Sequence, residues 1–318
     1  GVNGSGKHNN WSIRAEGGKN LLKPGKTPME NKQFLLFLAA VLKAVDDYQD
    51  LLRVSVAYAG NDHRLGADEA PPAIVSVFVG EDLQAVIDAI VEGTAYKGAV
   101  RGKMNLGVPS VPTFTKDTTD RNRTSPFAFT GNKFEFRMPG SSQNIALPNT
   151  VLNTAVAESF RQFADILEKA PDFDAALTAL IRDTLKAHGR IIFNGNGYSP
   201  EWEAEAARRG LSNLRDSVSA YAVLSEEKNI RLFADHLVMS RAEMVSRQEI
   251  LYENYAKVIN IEAQTMLEMV QKDIIPAVNK YIGELAATAA AKTTVVKSAD
   301  VTAETDLITR LSALVGGS

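Results

Sequence analysis

From about residue 147 to its end the sequence keeps a helical hydrophobic period almost without a break, so its second half must be a helical module. Candidate helices fall near 150–169, 172–188, 200–209, 214–235, 240–287 and 303–314, the fifth long enough to be interrupted. The fourth-from-last start is well marked: Ser199-Pro200-Glu201 offers a capping residue, a proline at the first helical position and an acid in the first turn. Gly210 suits its stop. The first half mixes two periods. A helical pattern covers 31–52 and 81–92, while alternation suggests strands at 54–58 and 74–79. Residues 96–149 are rich in Gly, Pro, Thr and Asn. They read as long loops around at least one strand, and such loops are where a site is expected. The fold class that follows is α+β, in a chain of 318 residues and 45% hydrophobic content, long enough for about two domains.

Composition narrows the function classes. A formal net charge of −3 gives no broad positive field of the kind that binds a phosphate backbone, so nucleic acid is not an expected partner. No cysteine is present, which excludes disulfides, thiolate metal sites and thiol nucleophiles and fits a cytoplasmic setting. The longest apolar run, residues 34–42, falls well short of the ~20 residues a spanning helix needs, so no membrane segment is expected. The chain opens on Gly1-Val2-Asn3-Gly4-Ser5-Gly6, inside a motif and without an initiator Met, and is expected to be a fragment of a longer protein.

Two short segments carry polar rows. In residues 132–138 a strand sends Phe134, Phe136 and Met138 to one face and Lys133, Glu135 and Arg137 to the other. In the N-terminal segment His8, Asn10 and Ser12 share a face, with Trp11 and Ile13 opposite. Either row alone is compatible with a solvated sheet face of self-compensating charges. On neighbouring strands, however, a histidine and a carboxylate could share one divalent ion. His63, His188 and His236 have no ligand spacing and read as structural or surface residues. Residues 1–8 nearly match the phosphate-binding G-x-x-x-x-G-K-[ST] loop, but His8 replaces the required hydroxyl. The strand-like Asn9-Asn10-Trp11-Ser12-Ile13 follows where that loop must open a helix.

Four ordered motifs resemble those of glutamine synthetases. Residues 3–12, Asn-Gly-Ser-Gly-Lys-His-Asn-Asn-Trp-Ser, resemble the Asn-Gly-Ser-Gly-x-His segment, with Lys7 and Asn10 pointing to the type III subfamily. Residues 64–71 resemble the flap, with its Glu-Ala-Pro step after an Arg. Arg121-Asn122-Arg123-Thr124 resembles the phosphate-binding Arg-Asn-Arg-Ser element. Residues 133–137 resemble the strand bearing a metal-binding Glu and a substrate-binding Arg, and the helical half is similar to the type III C-terminal extension.

The resemblance implies the later strands of a curved antiparallel catalytic sheet with flanking helices, followed by a mainly helical extension. It places the C-terminal half of the catalytic domain at 1–165 and the helical domain at 166–318. It further implies ATP-dependent ligation of ammonia to L-glutamate through γ-glutamyl phosphate, with Mg2+ or Mn2+, in stacked hexameric rings. Upstream residues would hold most metal-binding carboxylates, so the fragment alone is expected to be inactive; the alternative is a non-catalytic assembly module or a truncated remnant. The implied roles are Glu69 and Arg123 in catalysis, Asn3, Gly4, Arg64 and Arg137 at substrate, Ser12, Asn10 and Lys133 toward nucleotide, and His8 and Glu135 at metal.

Overall fold

A computed structural model describes residues 6–67, 70–94, 103–104, 114–115 and 124–317. The chain forms two compact units, Gly1–Tyr255 and Ala256–Ser318. The described part is mixed α and β and mostly helical, with a small open sheet.

Among the described residues of the first unit the strands are β1 (Asn9–Trp11), β2 (Val77–Phe78), β3 (Lys103–Met104), β4 (Phe114–Thr115), β5 (Phe127–Phe129) and β6 (Phe134–Phe136). Four of them make a sheet ordered β1-β6-β5-β2, and β3 pairs with β4. The β1–β6 and β5–β6 pairs are antiparallel as expected, whereas β2 joins β5 in parallel. Residues 54–58 are not a strand. Val54, Val56 and Ala57 are all buried, and the chain closes on itself there through Ser55 N to Leu51 O and Ala57 N to Val54 O. The apparent alternation reflects a turn surrounded by core. Because residues 9–11 are a strand, the phosphate-loop reading of residues 1–8 falls.

The helices of this unit are α1 (Lys32–Asp47), α2 (Gln49–Val54), α3 (Ala59–Asp62), α4 (Glu81–Glu92), α5 (Ala146–Leu167), α6 (Phe173–His188), α7 (Pro200–Arg208), α8 (Ser217–Ala222) and α9 (Glu227–Asp235). Their ends follow local chemistry. Asn31 and Asp172 cap α1 and α6 by accepting from Phe34 N and Ala175 N, and α4 stops on Gly93 at φ 69°. The single helix expected at 214–235 is broken into α8 and α9 because Glu226 turns extended, at ψ 138°. Helices α1, α5 and α6 pack together over the sheet's aromatic face. There Phe34, Phe127, Phe134 and Phe136 are essentially without solvent contact, and the Phe127 and Phe134 rings stack at 4.9 Å.

α10 (Arg241–Met269) runs out of this unit into the second. There a π-helical turn (Val270–Ile274) leads into α11 (Ile275–Val295), against which α12 (Thr302–Gly316) packs. Pro276 accounts for the interruption, since it lacks the N–H that would continue the ladder. Among the described residues no helix is long and apolar enough to cross a membrane.

Candidate functional site

The register of β1 on β6 builds the site. Asn10 lies opposite Glu135, so the row His8, Asn10, Ser12 and the row Lys133, Glu135, Arg137 share one face. The opposite face carries the buried phenylalanines, which makes the sheet rigid beneath the polar groups. The ladder extends past β1 through Lys7 N donating to Pro139 O at 3.0 Å and a bridge between Gly6 and Gly140.

Glu135 is the hub. Its Oε2 lies 3.6 Å from His8 Nδ1 and accepts from Arg137 at 3.0 Å, and its Oε1 is 3.5 Å from Lys133 Nζ. With only 6% of its surface exposed, burial alone would raise its pKa. The Arg137 hydrogen bond and charge, then Lys133 and His8, outweigh that and hold the carboxyl below its ordinary value. One carboxylate thus faces three cationic or protonatable groups, a local excess of positive character.

Arg64 enters from α3's end. It donates to Asn61 Oδ1, to Met138 O at 2.8 Å and to Arg137 O at 3.1 Å, and Gly6 opposite leaves room for it, since a Cβ there would push the guanidinium aside. Gly6, His8, Arg64, Pro71, Ser125 and Arg137 help line a cavity of about 140 Å3. Asn10, Ser12 and Lys133 are joined to one another's strands on the same face, away from Arg64. Lys133 Nζ donates to Asn10 Oδ1 at 2.7 Å, and Ser12 Oγ donates to Asn132 O at 2.8 Å in the β5–β6 turn.

The structure therefore brings His8, Arg64 and Arg137 around one cavity, with Glu135 joined to His8 and Arg137, and sets Asn10, Ser12 and Lys133 further along the same face of the two strands. Asn3, Gly4, Glu69 and Arg123 lie outside the described residues. Sequence reasoning missed Asn61, which is fully buried and donates to Val56 O and Met138 O while steering Arg64. Its neighbours Gly60, Asp62, His63 and Arg64 make the segment read as a polar turn, so nothing local in the sequence marks it as buried.

His8 and Glu135 offer an imidazole nitrogen and a carboxylate oxygen 3.6 Å apart, somewhat wider than the roughly 3 Å between neighbouring ligands of an octahedral Mg2+ or Mn2+, so sharing one ion would draw the two together. Among the described residues no third His, Asp or Glu joins them. The trio Asp46, Asp47 and His188 has ligand atoms within 4.8 Å, but Arg190 and Lys43 already hold these acids as a structural ion-pair cluster. His236 is likewise structural, paired with Glu158 at 2.9 Å.

Residues 176–293 match the family described as the glutamine synthetase C-terminal domain. The chain is similar to a type-3 glutamine synthetase of Dictyostelium discoideum, 52% identical over 87% of this chain and 38% of that protein. It is also similar to glutamine synthetases of Butyrivibrio fibrisolvens, 48% identical over 90% of this chain and 41% of that protein, and of Bacteroides fragilis, 42% identical over 90% and 40%. The chain spans about two fifths of the length of these relatives.

Proposed function

The chain matches the C-terminal portion of type III glutamine synthetases, and from that premise we propose that the full-length protein joins ammonia to L-glutamate with ATP, releasing ADP and phosphate. In this reading residues 1–165 are the C-terminal half of the catalytic domain, contributing later strands of its sheet, and residues 166–318 are the helical extension. The observation that carries it is the β1–β6 register, which gathers His8, Glu135 and Arg137 on one face beside Arg64 and a cavity.

The reaction must bring two polyanions together. The glutamate side-chain carboxylate attacks the γ-phosphorus of ATP and ADP leaves; the nitrogen of ammonia then attacks the acyl carbon and phosphate leaves. A bound divalent ion supplies charge neutralisation to phosphoryl oxygens. His8 and Glu135 would hold it, together with ligands from elsewhere in the enzyme. Arg137, fixed by Glu135, presents a planar donor fork that suits a carboxylate or phosphate, and Arg64 lines the same space. Lys133, with Asn10 and Ser12, lies toward the nucleotide. Glu69 is assigned the proton lost from the attacking nitrogen and the exclusion of water. Arg123 is assigned the transferring phosphoryl group, while Asn3 and Gly4 contact glutamate. Those four roles rest on the matching motifs alone.

The test is glutamine formation from glutamate, ammonia and ATP by the full-length protein with Mg2+ or Mn2+. Turnover strictly dependent on glutamate supports the reading. ATP hydrolysis indifferent to glutamate, or no turnover with either metal, overturns it.

A further inference from the structure

The helical part sends one loop back to the sheet and to the cavity wall. Ile192 bridges in parallel to Val77, and Phe193 N donates to Val77 O at 2.9 Å, so this segment continues the sheet beyond β2. Asn194 Oδ1 then accepts from both Val79 N and Gly80 N at 3.0 Å, while its amide donates to Gln84 Oε1. Three residues on, Gly197 N donates to Thr124 Oγ1 at 2.8 Å. Gly197 is there for space rather than for an unusual φ. A Cβ on it would stand 2.7 Å from Thr124 O and 3.4 Å from the Pro71 ring.

The loop is backed from behind. Phe193 stacks on Trp202 of α7 with centroids 3.7 Å apart, the Arg209 guanidinium lies over both rings, and Arg209 also donates to Ile192 O at 2.7 Å. A clamp of this kind holds what it touches. It bonds Thr124 and lies close enough to Pro71 to leave little room for a side chain between them, and Pro71 and Ser125 are walls of the cavity that Arg64 and Arg137 line.

We infer that residues 194–197 are a positioning element of the candidate site, holding residues 71 and 124–125 at working distance from Arg64 and Arg137 through the Gly197–Thr124 contact. This rests on the functional reading above and gives the helical part a direct role in turnover. The loop is assigned no contact with substrate; it acts through the wall, where displacements of an ångström are costly in rate.

The experiment uses the full-length enzyme with Thr124→Val, Thr124→Ser, Gly197→Ala and the Val/Ala double variant, reading kcat, KM for glutamate and ATP, and the melting midpoint. Thr124→Val and Gly197→Ala should each lower kcat about tenfold with both KM values within about twofold; the midpoint should be nearly unchanged in Thr124→Val and a few degrees lower in Gly197→Ala, whose Cβ meets the Thr124 backbone oxygen. Thr124→Ser, which keeps the hydroxyl, should restore kcat. The double variant should lose little more than either single one, since both break one contact. Wild-type kcat in both single variants, or failure of Thr124→Ser to restore it, overturns the inference while leaving the functional reading intact. Absence of glutamine formation by the wild type overturns that reading and the inference with it.

Discussion

Glu135 and Asp46 are both buried carboxylates ringed by cationic groups, yet one ring is open and the other is closed. Asp46 accepts from Arg190 Nε at 2.9 Å and pairs with His188 Nδ1 at 2.8 Å, and its neighbour Asp47 pairs with Lys43 at 2.5 Å. Acids and cations there nearly balance, and the cluster ties α1 to the end of α6. Around Glu135 a single acid meets His8, Lys133 and Arg137, and two of these, His8 and Arg137, line a cavity. Surplus positive character beside open space is what an anionic substrate needs. Balanced charge in a filled space serves only packing.

The sharpest way to break this contrast is to neutralise each hub. Glu135→Ala in the full-length enzyme should lower kcat/KM for glutamine formation by about 100-fold or more, with the melting midpoint shifting by only a few degrees. Comparable activity loss on changing Asp46 would erase the distinction. Asp46→Asn should instead cost about 2 kcal/mol in denaturant unfolding, because it strands Arg190 and His188 beside a neutral group, and should leave kcat within about twofold. The exposure of Arg190 keeps that cost below the full penalty for a buried pair.

The open ring was largely legible from sequence, because a two-residue period assigns Glu135 and His8 to faces without any knowledge of the fold. The register between them was not, since the pairing of β1 with β6 depends on everything folded in between. The closed ring could not be read either. Asp46, His188 and Arg190 come from separate elements, and their spacing in sequence carries no local signal. Helices α4 and α6 matched their expected limits closely because glycine and Asp caps mark them, whereas residues 54–58 were misread because core surrounds a turn there on all sides. Thr124 and Gly197 illustrate the remaining blind spot: a glycine needed for space looks the same in sequence as one needed for a turn.

A third carboxylate refines the comparison through pH. Glu158 on α5 accepts from Arg161 and Gln162 and pairs with His236. The Arg161 hydrogen bond first, against burial and aided by the other two, lowers its pKa from 4.5 to about 2. A depressed folded value means stability present above about pH 4.5 that is lost as pH falls toward 2. The shift corresponds to at most ~3 kcal/mol, reduced by the half-exposed Arg161 to about 1.5 kcal/mol. Glu158→Gln should therefore lower unfolding stability by about that amount at pH 7 and by nothing near pH 2. A deficit that persists unchanged at low pH would mean the pair acts through packing, like a closed ring without charge.

The smallest effect tests where the open ring ends. Lys133 is about two fifths exposed, lies 3.5 Å from Glu135 Oε1, and donates to Asn10 at 2.7 Å. Solvent screens a charge in that position, and Arg137 already satisfies Glu135 more closely, so removing Lys133 should barely disturb the hub. If Lys133 instead faces nucleotide, Lys133→Met should raise KM for ATP about threefold and leave KM for glutamate unchanged, an effect that shrinks as salt is added. An equal rise in both KM values would place Lys133 inside the ring as a partner of Glu135, and the boundary between the proposed substrate and nucleotide ends of the two strands would have to be redrawn.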